Sequence, residues 1–74
     1  MELGKAIKSI REHAGESRSH VASGCGMTVS ALCKIENGNT IPKWVTIEKI
    51  CRFLNVPVAF LLAKSMDPSD FTIK

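Results

Sequence analysis

Apolar residues recur along this chain at helical spacing, and glycine, asparagine and proline punctuate them. Leu3, Ile7, Ile10 and Ala14 fall at i, i+4, i+7 and i+11, the stripe of an amphipathic helix over about Glu2 to Ala14, with Lys5, Lys8, Arg11 and Glu12 on its other faces. Gly15 is the stop. Ser17 is an N-cap for a short second helix with Val21, Ala22 and Cys25 inward, ended by Gly26. Gly24 in its last turn costs about 1 kcal/mol relative to alanine, so this helix reads as weak. Thr28 caps a third helix in which Leu32 and Ile35 face inward and Asn37-Gly38 marks the end. A fourth helix runs from about Lys43 to Leu54, with Ile47, Ile50, Cys51 and Leu54 on one face and Asn55 as its left-handed stop. Pro57 opens a fifth, V-A-F-L-L-A. Ser65 to Lys74 reads as an extended tail in which Phe71 and Ile73 alternate with polar residues. No strand pattern competes, so the expected fold is all-α: a bundle of five short helices in residues 1–64, followed by a tail at 65–74.

Composition narrows the possibilities further. At 74 residues the chain makes one small domain, with 45% hydrophobic and 23% charged residues, an ordinary globular balance. Such a domain buries roughly 60% of its unfolded surface, so its core is marginal and a partner subunit helps. The net charge of +3 permits nucleic-acid binding without demanding it. With no Tyr, one Trp and three Phe, stacking of single-stranded bases is disfavoured. Cys25, Cys33 and Cys51 are an odd number and widely spaced, which suits neither a disulfide framework nor a zinc site; two read as small core residues. His13 and His20 add no ligand spacing and read as surface residues, so neither metal nor cofactor is expected. The longest apolar run, about Val56 to Ala63, is too short for a membrane span, and Glu2 onward is unlike a secretory signal; the expected location is the cytoplasm. No nucleophile, base and orienting group can be assembled and no glycine loop cradles a phosphate, so an enzyme is not expected.

Two short helices across a tight glycine-containing turn form the helix-turn-helix signature. The strings L-G-K-A-I-K-S-I-R at Leu3–Arg11 and S-R-S-H-V-A-S-G-C-G-M-T-V-S-A-L-C-K-I-E-N-G at Ser17–Gly38, continued by Pro42, Ile47, Ile50, Leu54 and Val56, resemble the phage repressor and Cro-like (XRE) family. The resemblance spans about Leu3 to Ala63, and I-E-N-G at Ile35–Gly38 is its most specific part. Arg18 stands where that family often has Gln, Gly24 replaces a helix former, and Pro57 takes the place of a Ser or Thr cap. The resemblance implies a five-helix bundle that binds operator DNA as a dimer and regulates transcription.

In that setting the third helix lies in the major groove. With Leu32 and Ile35 inward, the groove side carries Val29, Ser30, Cys33 and Lys34, and the Thr28 hydroxyl adds a contact beside its capping role. Lys34 suits guanine O6 or N7, and Val29 suits a thymine methyl. Phosphate contacts are expected from Ser17 and Arg18 on the second helix, from Asn37, Asn39 and Thr40 in the loop, and from Lys43; simple solvation is the alternative for Arg18 and Lys43. The resemblance implies a structural ion pair between Arg11 and Glu36 and a dimer contact through the last helix, where Val58, Phe60 and Leu61 cluster. Trp44 either packs under the loop or joins that contact. The expected function is a sequence-specific double-stranded-DNA-binding regulator, a repressor, acting as a homodimer on an inverted repeat. The same fold also serves antitoxin-like and co-regulator subunits that bind another protein, so an interaction module is the second reading.

Overall fold

The computed structural model describes residues 2–66. Five helices follow in order: α1 at Leu3–His13, α2 at Arg18–Gly24, α3 at Val29–Glu36, α4 at Trp44–Leu54 and α5 at Val58–Ser65. Local chemistry sets these limits. The Ser17 hydroxyl accepts from the His20 N–H at 3.1 Å and the Thr28 hydroxyl from the Ala31 N–H at 3.1 Å, so α2 and α3 both start on capped turns. The first four helices share one ending. Gly15, Gly26, Gly38 and Asn55 have positive φ, and the next residue's N–H reaches back to a carbonyl in the last turn. Those bonds run from Glu16 to Arg11 at 3.1 Å, Met27 to Ala22 at 2.9 Å, Asn39 to Lys34 at 2.9 Å and Val56 to Cys51 at 3.0 Å.

Each helix sends one large side chain to full burial: Ile7, Val21, Leu32, Ile50 and Leu61. Burying each such side chain is worth about 1.5–3 kcal/mol, and these five hold the bundle centre. Helix α1 packs on α3 and α5, and α2 packs on α3 and α4. At Gly4 the backbone of α1 comes so close to the last turn of α3 that a Cβ would overlap the Ile35 carbonyl oxygen. Cys25 and Cys51 are free, buried thiols, and Cys33 is free and half-buried. Burial pushes the thiol pKa of both Cys25 and Cys51 up, with Lys49 acting in the opposite direction on Cys25.

Three expectations change. Gly24 is no mere weak point: a Cβ there would overlap the ring of Phe53, so its missing side chain makes the seat in which α4 meets α2. Ala14, expected on the buried stripe, is the exposed C-cap of α1. Ser65, expected to open the tail, is the buried last residue of α5; its carbonyl accepts from the Glu2 N–H at 2.8 Å. The remainder of the expected tail, with Phe71 and Ile73, lies outside the described residues.

Candidate nucleic-acid interface

Helix α3 is fixed by its inner side, where Leu32 and Ile35 are buried. Its outer side therefore has one orientation. Val29, Ser30 and Lys34 are exposed there, and Cys33 is half-buried at the edge. Thr28 is exposed and its hydroxyl already holds the Ala31 N–H, leaving lone-pair and donor capacity toward solvent. Past the end of α3, Asn37, Asn39 and Thr40 are exposed in succession. Lys43 is exposed and is the N-cap residue of α4, which has no side-chain cap bond, so the first-turn N–H groups of that 11-residue helix stay open beside the ammonium.

Behind this surface lies a compact charged cluster. Arg11 Nε donates to Glu36 Oε2 at 2.7 Å, Arg11 Nη2 to Glu36 Oε1 at 3.2 Å, and Arg11 Nη1 to the Glu16 carbonyl at 2.8 Å. Arg18 Nε donates to Glu36 Oε1 at 3.0 Å. The Glu36 side chain is 0% exposed and Arg11 is buried, whereas the Arg18 side chain is 40% exposed. One carboxylate thus ties α1, α2 and the end of α3 together. Removing one partner of a fully buried pair costs on the order of 3–5 kcal/mol, because it strands the other charge. The hydrogen bond to Glu36, and then the charge of Cys33, raise the Arg18 guanidinium pKa above its ordinary value. Arg18 was expected to face a phosphate or solvent alone. Its link to Glu36 carries no signature in the sequence, because it joins residues 18 positions apart on different helices.

A family model described as a helix-turn-helix domain matches residues 2–61. The chain belongs to the helix-turn-helix family. This is a family of DNA-binding transcriptional regulators, not of enzymes. The helix-turn-helix chain is 31% identical over 68 residues to the cryptic phage CTXphi transcriptional repressor RstR of Vibrio cholerae, an alignment covering 92% of this chain and 61% of that protein. The match thus spans somewhat less than two thirds of the length of that relative. Its fold matches the crystal structure of the clp gene regulator ClgR from C. glutamicum with a TM-score of 0.85 at 20% identity, covering 99% of this chain and 92% of the other.

In helix-turn-helix terms, α2 and α3 are the motif pair, joined by Cys25, Gly26, Met27 and Thr28. The structure brings Val29, Ser30 and Lys34 onto one side of α3 and does not bring Val58, Phe60 and Leu61 together at the surface. Leu61 is 1% exposed and belongs to the core, which corrects its expected place in a subunit contact. Val58 is half-buried and packs on that core, and Phe60 is 50% exposed. Phe60 borders a largely apolar groove of about 320 Å³ whose walls include Ile10, Ala14, Leu54 and Val56. Trp44 is exposed and does not tuck under the loop. Two exposed apolar neighbours, Ile41 at 89% and Val45, were missed by sequence reading. Val45 had a signal, since it falls opposite Ile47, Ile50 and Leu54 around α4.

His20 pairs with Glu16 through Nδ1 and sets its ring edge-on to Phe53 at 5.2 Å. Among the described residues no group of three or more His, Cys, Asp or Glu side chains is placed to hold a metal ion, and no helix is long and apolar enough to cross a membrane.

Proposed function

We propose that this protein is a sequence-specific, double-stranded-DNA-binding transcriptional repressor that acts as a homodimer on an inverted-repeat operator. The observation that carries this reading is the outer side of α3: exposed Val29, Ser30 and Lys34 on a capped helix whose other side is locked into the core. The named role of RstR as a transcriptional repressor supports it. In this reading α3 enters the major groove, Lys34 donates to a guanine edge, Val29 meets a thymine methyl, and Thr28, Ser30 and Cys33 complete the base contacts. Ser17, Arg18, Asn37, Asn39, Thr40 and Lys43 hold phosphates on either side and so set the register. Repression is occupancy of the operator, in the compartment that holds the DNA, the cytoplasm. No step requires a cofactor or a metal.

The dimer rests on Phe60 with Val58 behind it; Trp44 and Val45, exposed at the start of α4, form a separate apolar surface. A two-fold dimer places its two α3 helices about 34–36 Å apart, one turn of the duplex, so the operator is palindromic. The exposed Ile41, with Trp44 and Val45 close by in sequence, favours a second reading, in which these apolar residues take a different protein, as in an antitoxin-like or co-regulator subunit. Selection from a random duplex pool tests the first reading. A palindromic motif supports it, and a pool that stays random after repeated rounds favours the protein-partner reading.

A further inference from the structure

The charged cluster behind α3 is built on a single buried carboxylate. Two guanidiniums, Arg11 and Arg18, share the single buried carboxylate of Glu36. Arg11 is engaged at every nitrogen: Nε and Nη2 donate to Glu36, and Nη1 donates to the Glu16 carbonyl. The other nearby anion, Glu12, stands 3.9 Å from Arg11 and is more than half exposed. Glu12 balances the formal charge from the Arg11 side, so Arg18, the exposed member of the pair, has only a shared carboxylate for its own. Arg18 is engaged only through Nε, and among the described residues its two terminal nitrogens have no hydrogen-bond partner. A guanidinium gripped at Nε by a carboxylate that cannot move has its planar fork fixed in direction. It also keeps the donors that suit a bidentate contact with phosphate oxygens.

We infer that Glu36 is a positioning residue for DNA binding: it holds Arg18 by Nε so that the terminal nitrogens clamp one phosphodiester of the duplex backbone. This deepens the proposed DNA-binding role and rests on it. Arginine is needed because one side chain must serve two anions at once. Lysine carries the same charge but has a single nitrogen, which either meets Glu36 or reaches the phosphate with its stem unheld. The ordering cost of a long side chain is met within the folded protein, before DNA arrives.

The test compares wild type, Arg18→Gln and Arg18→Lys on a selected operator and on a scrambled duplex, across a salt series, with thermal melting to establish that all three are folded. Losing one phosphate contact lowers the slope of log affinity against log salt by about 0.9. The expected result for Arg18→Gln is that change in slope with about a tenfold loss on both duplexes. Arg18→Lys is expected to recover the slope but not the affinity, because its charge is present and its direction is not held. A double-mutant cycle of Glu36→Gln with Arg18→Gln, read in affinity on protein shown by thermal melting to be folded, should show the two losses to be non-additive. A purely structural Glu36 would shift the melting temperature and leave the affinity of the folded protein at its wild-type value. Wild-type binding by Arg18→Gln, full affinity in Arg18→Lys, or additive affinity losses in the cycle would each overturn the inference while leaving DNA binding intact. Wild-type protein that binds no duplex would overturn the DNA-binding reading, and this inference with it.

Discussion

Gly24 and Phe53 share one space: the aromatic ring from α4 lies where any side chain on Gly24 of α2 would begin. Helix propensity and packing therefore make opposite statements about Gly24→Ala. Propensity alone favours alanine by about 1 kcal/mol. The overlap forces the Phe53 ring outward and breaks its edge contact with His20, and overpacking of this kind costs about 1–3 kcal/mol. The expected outcome is net destabilisation, a melting temperature several degrees lower. In a Phe53→Ala background the same change should become stabilising, which a double-mutant cycle by thermal melting reads directly.

The α5 helix allows two neighbouring side chains to be told apart. Leu61→Ala empties a core position and should cost about 2–5 kcal/mol in unfolding free energy. Phe60→Ala should change stability little at high dilution but weaken self-association and operator affinity together. Sedimentation and denaturant unfolding on both variants check this. A wild-type protein that stays monomeric at high concentration would remove the dimer from the proposal.

Lys34 and Lys43 should differ in kind. Lys34→Ala is expected to lose about 1–3 kcal/mol on the preferred operator and little on a scrambled duplex, as for a base-edge contact. Lys43→Ala should weaken both duplexes by a common factor and lower the salt slope by about one. Equal losses on both duplexes for both variants would make Lys34 another phosphate contact. Specificity would then rest on Val29, Ser30, Cys33 or DNA shape.

Much of this arrangement was legible because it is written locally. Ser17 and Thr28 as caps, Asn55 as a left-handed stop, and the spacing of Leu32 and Ile35 need only a few consecutive residues to be recognised. What was missed depends on residues far apart in the chain. Arg18 meets Glu36, and Phe53 seats on Gly24, through the packing of separate helices, for which no spacing rule exists. Helix α5 failed for a different reason. V-A-F-L-L-A is apolar on every side, so periodicity cannot say that Leu61 turns inward and Phe60 outward.

The cysteines give a pH dependence with a defined sign. Burial raises the folded-state pKa of Cys25 and Cys51 above the unfolded value. The folded chain thus holds its thiol protons more tightly than the unfolded chain. Their contribution to stability is complete below the unfolded thiol pKa of about 8.5 and is lost as pH rises through the higher folded values. Denaturant midpoints should fall above about pH 8.5, and Cys25→Ala with Cys51→Ala should flatten that fall. Under native conditions a thiol reagent should label Cys33 first, with the other two reacting at the rate of unfolding.

Helix α3 is mounted by its tail. At Ile35 and Glu36 the α1 backbone presses against it beside Gly4, and two arginines grip its final carboxylate. At the other end Val29 and Ser30 project from the first turn, exposed. The helix is clamped at its base and along its inner side, and only the outer side of its first turn stands free. Substitutions at the tip leave the mount untouched, so new sequence preferences can be explored there at little risk to the fold, whereas Gly4, Arg11 and Glu36 admit almost no variation.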